Sequence, residues 1–303
     1  MTHEPRVSGY CLHDEFVTVP TSFKVTTGSK QSGQAKMTTV NVDEVILDQW
    51  LSTAIRAAKV GGEVLQSWIG RFSVREKSRA NLVTEADEAS QAAIVSVISE
   101  AFPDHGFLGE EGLNRRDGET GNHCFWIIDP LDGTSNYVHG FPYYAVSIAL
   151  YANQQLQVGV IYDPTRDDVF AASQGGGATL NGKTITTSGT TEAGQCFAMA
   201  SLPIAADPAN PAVRRFLTAL PRLQTVQRTG SAAMNLASVA AGRADAFWST
   251  SLHPWDIAAG VLLVKEAGGS VTTLSGGAID IFAPDILVAS SVELQQELTA
   301  VLG

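Results

Sequence analysis

The chain has 303 residues, 44% of them hydrophobic and 17% charged, with a formal net charge of −11. That composition suits a compact globular protein and excludes a disordered one. No apolar run approaches the roughly 20 residues of a membrane span, and the acidity opposes general binding to nucleic acid or anionic lipid.

Residues 1–42 are polar and aperiodic, with TTGSKQSGQAK as their most linker-like stretch. They are expected to form a flexible N-terminal extension to a single folded domain over 43–303. The opening MTHEPRVSGYCLHDE carries acids and lacks an apolar centre, so it does not read as a signal peptide, and a cytoplasmic location is the default expectation. Leu47, Leu51, Ile55, Ala58, Leu65 and Ile69 recur near a 3.6-residue period, which predicts a long amphipathic helix over 43–70. Thr84 precedes EADEASQAAIVSVISEAF, a second helix closed by Pro103, with Asp87 in its first turn where negative charge suits the dipole. Phe125, Trp126, Ile127 and Ile128 then form a buried strand expected to end at Asp129. Residues 145–190 alternate apolar and polar between turns at YANQQ, DPTRDD and GGGATLNGK, the pattern of a strand meander. SAAMNLASVAAG reads as a helix of small residues, and WDIAAGVLLVKEAGG as another, ended by Gly268 and Gly269. Helices and strands interleave, and no repeat of fixed period is present. Cys11, Cys124 and Cys196 are odd in number and widely spaced, which fits reduced thiols.

Functional groups of α/β proteins sit at strand ends, so Asp129 is well placed. Spacing i, i+3 across Pro130 can aim Asp129 and Asp132 at a common point. Gly133 permits close backbone approach, and a helix starting there would offer the Gly133 and Thr134 amides to an anion. Two adjacent carboxylates repel unless a proton or a cation sits between them. Magnesium takes hard oxygen ligands together with substrate phosphate. Read alone, Pro-x-Asp-Gly is ordinary turn chemistry. Further acids stand in FPDHGFLGEEG (Glu110, Glu111), NLVTEAD (Asp87) and HPWDIAAG (Asp256), each also readable as a solvated loop or a helix cap. No Ser-His or Cys-His nucleophile is evident. His105, His123, His139 and His253 read as structural or surface groups, and Cys124 as packing.

The stretches GEEG, WIIDPLDGTSNYVHGFPYYAVSIAL and PWDIAAGVLLVKEAGG resemble the inositol monophosphatase family. NLVTEAD, GGGATLNG and RTGSAAMNLASVAAGRADAF match its intervening segments in the same order, so the resemblance covers about residues 43–303. It implies an α/β (α+β) fold, the layered αβαβα sandwich of inositol monophosphatases and fructose-1,6-bisphosphatases. It implies two to three Mg2+ ions: Glu110, Asp129 and the Leu131 carbonyl on the first, Asp129, Asp132 and Asp256 on the second, and Glu110 again on a weaker third. Thr134 with Asp87 would orient the attacking water, and the Gly133 and Thr134 amides would cradle the phosphate. Asp132, Gly230, Ser231, Ala232, Ser249 and Asp256 fall where the family meets substrate hydroxyls. Lys77 matches a family lysine with the local spacing one residue short. The resemblance further implies lithium sensitivity, a homodimer and a small-molecule phosphate monoester as partner, with neither nucleic acid nor membrane.

One position departs from the pattern. Ser249 stands seven residues before Asp256, where inositol-specific relatives often carry glutamate. The expected activity is that of an inositol-1-monophosphatase. Histidinol phosphate, fructose 1,6-bisphosphate and a 3′-phosphoadenosine nucleotide stay open as substrates, with Arg228 available to a second phosphate. A phosphate-binding relative without turnover is the reading from a different class.

Overall fold

The computed structural model describes residues 42–78, 81–115, 124–203, 207–283 and 285–303. The extension expected over 1–42 lies outside them up to residue 41, as do Cys11, His123 and the Lys77 side chain.

The expected long helix is α1, Val42–Trp68. A hairpin of β1 (Val74–Ser78) and β2 (Asn81–Thr84) leads into α2, Glu85–Ala101, and Thr84 caps that helix by accepting from the Ala86 amide. Next come β3 (Gly106–Gly109), β4 (Asn114–Arg115), β5 (Phe125–Asp132) and the short α3 (Thr134–Val138). The meander is β6 (Ala145–Ala152), β7 (Gln155–Asp163), β8 (Asp168–Ser173), β9 (Gly177–Leu180) and β10 (Lys183–Ile185). After β11 (Phe197–Ala200) follow α4 (Pro211–Ala219), β12 (Thr225–Gln227), α5 (Ala232–Ala240), β13 (Ala246–Ser249) and α6 (Pro254–Glu266). The chain closes with β14 (Ser270–Thr272), β15 (Ile286–Ala289) and α7 (Val292–Leu302).

These elements stack in five layers, the expected αβαβα order. One sheet runs β10-β9-β8-β7-β6-β5-β3-β4 and the other β12-β11-β13-β15-β14. Three apolar clusters glue the layers. Ala54, Leu65, Ile94 and Ile98 of α1 and α2 pack on Trp126, Ile128, Val146 and Ile148 of the larger sheet. Its other face, with Phe125, Ile127 and Ala149, meets α5 and α6, which also cover Phe247, Ile286 and Val288 of the smaller sheet. Ala219 of α4 and Leu294, Leu298 and Leu302 of α7 close the far side on Trp248 and Leu287. Helices α5 and α6 are thus sandwiched between two sheets. That is why they are built from small and apolar residues on every side rather than on one stripe. Among the described residues, no helix is long and apolar enough to cross a membrane.

Candidate metal centre

The site begins with a count along β5. Successive strand residues face opposite sides: Phe125 and Ile127 enter the α5/α6 core, while Trp126 and Ile128 enter the α1/α2 core. Asp129 therefore faces α5 and α6, and a regular strand would turn Asp132 to the opposite side. The strand does not end at Asp129 as expected. It pairs Asp129 with Ser147 and Asp132 with Ala145, so Pro130 and Leu131 together oppose Val146 in a bulge. The extra residue flips the parity. Leu131 falls into the α1/α2 core, and Asp132 joins Asp129 on the α5/α6 face. Proline suits such a point because it has no ladder donor to lose. The Leu131 amide is not wasted either, for it donates to Asp129 Oδ1 at 3.0 Å.

Asp132 meets the N-terminus of α5. The Ser231 hydroxyl donates to Asp132 Oδ2, the Ala233 amide donates to the same oxygen at 2.7 Å, and the Ala232 amide reaches Oδ1 at 3.3 Å. Free amides at a helix start favour an anion. Ser231 and Ala232, expected against substrate hydroxyls, are here engaged with the carboxylate. The Ala233 amide escaped the sequence reading because a backbone donor leaves no mark in residue type.

Asp256 and Asp87 share one device. Each is the third residue of its helix and closes a capping box. Asp256 Oδ2 accepts from the His253 amide at 2.6 Å. Asp87 Oδ2 accepts from the Thr84 amide and hydroxyl at 2.8 and 2.7 Å, while its Oδ1 lies 3.3 Å from the Thr134 hydroxyl. The cap and the site readings are therefore compatible: one oxygen fastens the helix and the other remains for the site. Ser90 and Gln91, at i+3 and i+4 from Asp87, lie on the same helix face. Ser90 donates to the Pro130 carbonyl at 3.2 Å and Gln91 to the Glu111 carbonyl at 3.1 Å. Neither was singled out from the sequence, although helical spacing from Asp87 carried that signal.

Asp129, Asp132 and Asp256 place carboxylate oxygens within 4.8 Å of one another. Glu110, half-buried in the turn after β3, is not in that tight group, but its charge acts on Asp129 and Asp256. Burial first, then the neighbouring carboxylates, push Asp129 and Asp256 well above the ordinary carboxylate range. Asp132 is raised to about 6 by burial, against the pull of its Ser231, Ala232 and Ala233 donors. Asp87 is also raised to about 6, mainly by burial. Oxygen donors crowded, buried and mutually repelling fit a hard divalent cation such as Mg2+.

Gly133 starts α3 at φ 95°, and a Cβ there would sit 3.1 Å from the Tyr143 carbonyl and 3.3 Å from Ser231 Cβ. Only glycine meets both demands. The Thr134 hydroxyl has the Leu131 carbonyl at 3.1 Å besides Asp87. Gly230, at φ 91°, opens the turn into α5. Ser249 ends β13 with its side chain buried, and its hydroxyl accepts from the Ser251 amide at 3.4 Å. Arg228 is exposed. His105 accepts from the Trp126 indole at 3.0 Å beside the buried Cys124, and His253 stacks on Trp255, as structural groups do. A cavity of ≈ 400 Å³ bounded by Tyr151, Leu156, Glu266 and Phe282 lies at the far end of α6. It is about 15 Å along the helix from Asp256 and does not belong to the acid cluster.

A layered α/β sandwich with buried acids converging at a bulged strand end and two helix N-termini defines a metal-binding class of protein. The match to the Inositol monophosphatase family model over residues 46–302 gives the class its name, and the chain belongs to that family. It is 40% identical to a Nus factor SuhB of Pseudomonas aeruginosa, covering 75% of this chain and 86% of that one. It is 36% identical to an inositol monophosphatase of Dictyostelium discoideum, over 81% and 92% of the two chains. The structure of an inositol monophosphatase from Anabaena superposes with a TM-score of 0.76 at 37% identity, covering 85% of this chain and 96% of that one.

Proposed function

We propose that the chain is a magnesium-dependent phosphate monoester hydrolase that accepts inositol 1-phosphate among several substrates. The convergence of Asp129, Asp132 and Asp256 carries this reading, because catalysis of this kind needs clustered oxygen ligands. Asp129, Asp132, Asp256, Glu110 and the Leu131 carbonyl would hold the metal, in the two or three positions that the resemblance implies. Bound there, Mg2+ supplies charge neutralisation at phosphate and leaving oxygen and lowers the pKa of water. The chain's own residues do the rest. Thr134 donates to Asp87 and turns its oxygen lone pairs toward an incoming water proton. The Gly133 and Thr134 amides, at the start of α3, would bind phosphate oxygens. Asp132, Gly230 and Asp256 would meet the substrate alcohol, as the family resemblance implies.

The test is hydrolysis of inositol 1-phosphate and an aryl phosphate with and without Mg2+. Turnover should vanish on chelation, return with Mg2+ and fall with lithium. Full activity after exhaustive chelation sinks the reading. A cytoplasmic location, the default for the N-terminal sequence, and a homodimer, implied by the family resemblance, complete the proposal; a monomeric mass by light scattering overturns the dimer.

A second reading rests on the relative named Nus factor SuhB. In that case the chain acts as a Nus factor, and the acid cluster is secondary to that role. Retention of the Nus function by a hydrolytically dead Asp129→Asn variant favours it.

A further inference from the structure

Asp132 is held by the turn that starts α5, and that turn must itself be held. Thr229, Gly230 and Ser231 come from a segment nearly a hundred residues away from Asp132 in sequence. The fastening runs through Asn136, two residues after Thr134 on α3. Its Nδ2 donates to the Tyr143 carbonyl at 2.7 Å and to the Thr229 carbonyl at 2.9 Å. Both acceptors are carbonyls, so the amide orientation is set: its own oxygen cannot face them. The packing around this amide is tight, since a Cβ on Gly230 would lie 3.0 Å from both Asn136 Nδ2 and Oδ1. Beyond it, Thr229 and Tyr143 donate their hydroxyls to the buried Asn235 Oδ1 at 2.5 and 3.1 Å, and the Asn235 backbone N–H donates to the Ser231 carbonyl at 3.2 Å.

We propose that Asn136 is a positioning residue, whose side-chain amide clamps the Tyr143 and Thr229 carbonyls and so aims the Ser231–Ala233 donors at Asp132. The chemistry is demanding. Two carbonyls on either side of one atom require a nitrogen with two hydrogens on a short stem. Aspartate has no donor, serine has one, and glutamine is too long for the space left by Gly230. In this role Asn136 acts through Ser231 on the geometry of a carboxylate that the proposed function makes a metal ligand. The inference therefore rests on that function.

Magnesium affinity, measured by calorimetry on the full chain, separates the two ideas. Asn136→Ala should weaken Mg2+ binding about tenfold, as loss of an outer partner of a ligand does. Asn136→Ser, which keeps one donor, should lie between it and the wild type, and it serves alone if the alanine variant does not fold. A merely structural role lowers Tm in chelator without moving the Mg2+ affinity. The comparison variant Val288→Ala, in the smaller sheet, should show that second behaviour. If Asp132→Asn weakens Mg2+ binding and the Asn136 variants do not, the positioning role is wrong. If Asp132→Asn leaves Mg2+ binding unchanged, the metal reading of Asp132 fails and takes this inference with it.

Discussion

At the scale of single residues, Asp129 and Asp87 are asked for different things. Asp129 is buried and lies with Asp132 and Asp256 in the acid cluster, and under the proposed function it would hold both main ions. Asp129→Asn should cut turnover about a thousandfold, or about 4 kcal/mol, the size expected when metal stabilisation of a transition state is disturbed. Near-normal kcat in a folded variant removes the assignment. Asp87 bonds Thr134 and holds no place in the acid cluster, so Asp87→Asn should lower kcat with little change in KM. A change confined to KM contradicts its proposed part in orienting water. Under the proposed function, Ser249 would bear on selectivity rather than on the metal. A glutamate here can accept a charged hydrogen bond from a sugar hydroxyl, so Ser249→Glu should raise preference for inositol 1-phosphate over an aryl phosphate by roughly ten- to a hundredfold. An unmoved ratio shows that this position does not face substrate.

At the scale of elements, the site is made of ends and irregularities. The β5 bulge turns Asp132 inward, α5 and α6 present their N-termini, and α2 presents one face. Gly133 is a tight joint between the β5 bulge and the α5 turn. Gly133→Ala combines a left-handed φ with contacts of 3.1–3.3 Å, and should destabilise by about 1–3 kcal/mol, lowering Tm by several degrees. Gly175, at φ 73° with nothing within 4 Å of its Cβ position, isolates the backbone part. Gly175→Ala should lower Tm less than Gly133→Ala; equal shifts on thermal melting would show that crowding against Tyr143 and Ser231 is unimportant.

At the scale of the whole molecule, the acid cluster couples metal, proton and folding. Asp87 and Asp132 have folded-state pKa values raised to about 6, above the unfolded carboxylate value of 3.8. Their protonated forms therefore stabilise the fold fully below about pH 3.8, and that contribution is lost as pH rises through about 6. Asp129 and Asp256 shift the same way, extending the loss upward. A bound cation would replace the protons of Asp129, Asp132 and Asp256. The rise in Tm caused by Mg2+ should thus be large at pH 8 and small at pH 5. A Tm gain independent of pH rules out binding at this cluster.

The local signals in this sequence needed no tertiary context. Helical periodicity marked α1, the Thr84 and Pro103 boundaries marked α2, and alternation with turn residues marked the β6–β10 meander, because these depend on neighbours within a few positions. The acids Asp129, Asp132 and Asp256 were legible as candidates from their motifs. The i, i+3 spacing across Pro130 also pointed Asp129 and Asp132 at a common point, but the bulge by which they come to share a face was not legible. Read as a plain strand, β5 sends Asp129 and Asp132 to opposite sides, and only pairing with β6 introduces the bulge that unites them. The partners of Asp132 likewise come from α5, and those of Asn136 from the Tyr143 and Thr229 backbone. In such contacts one partner at least is a backbone carbonyl or amide, which residue type does not announce. Tertiary packing alone decides which of those common groups meet.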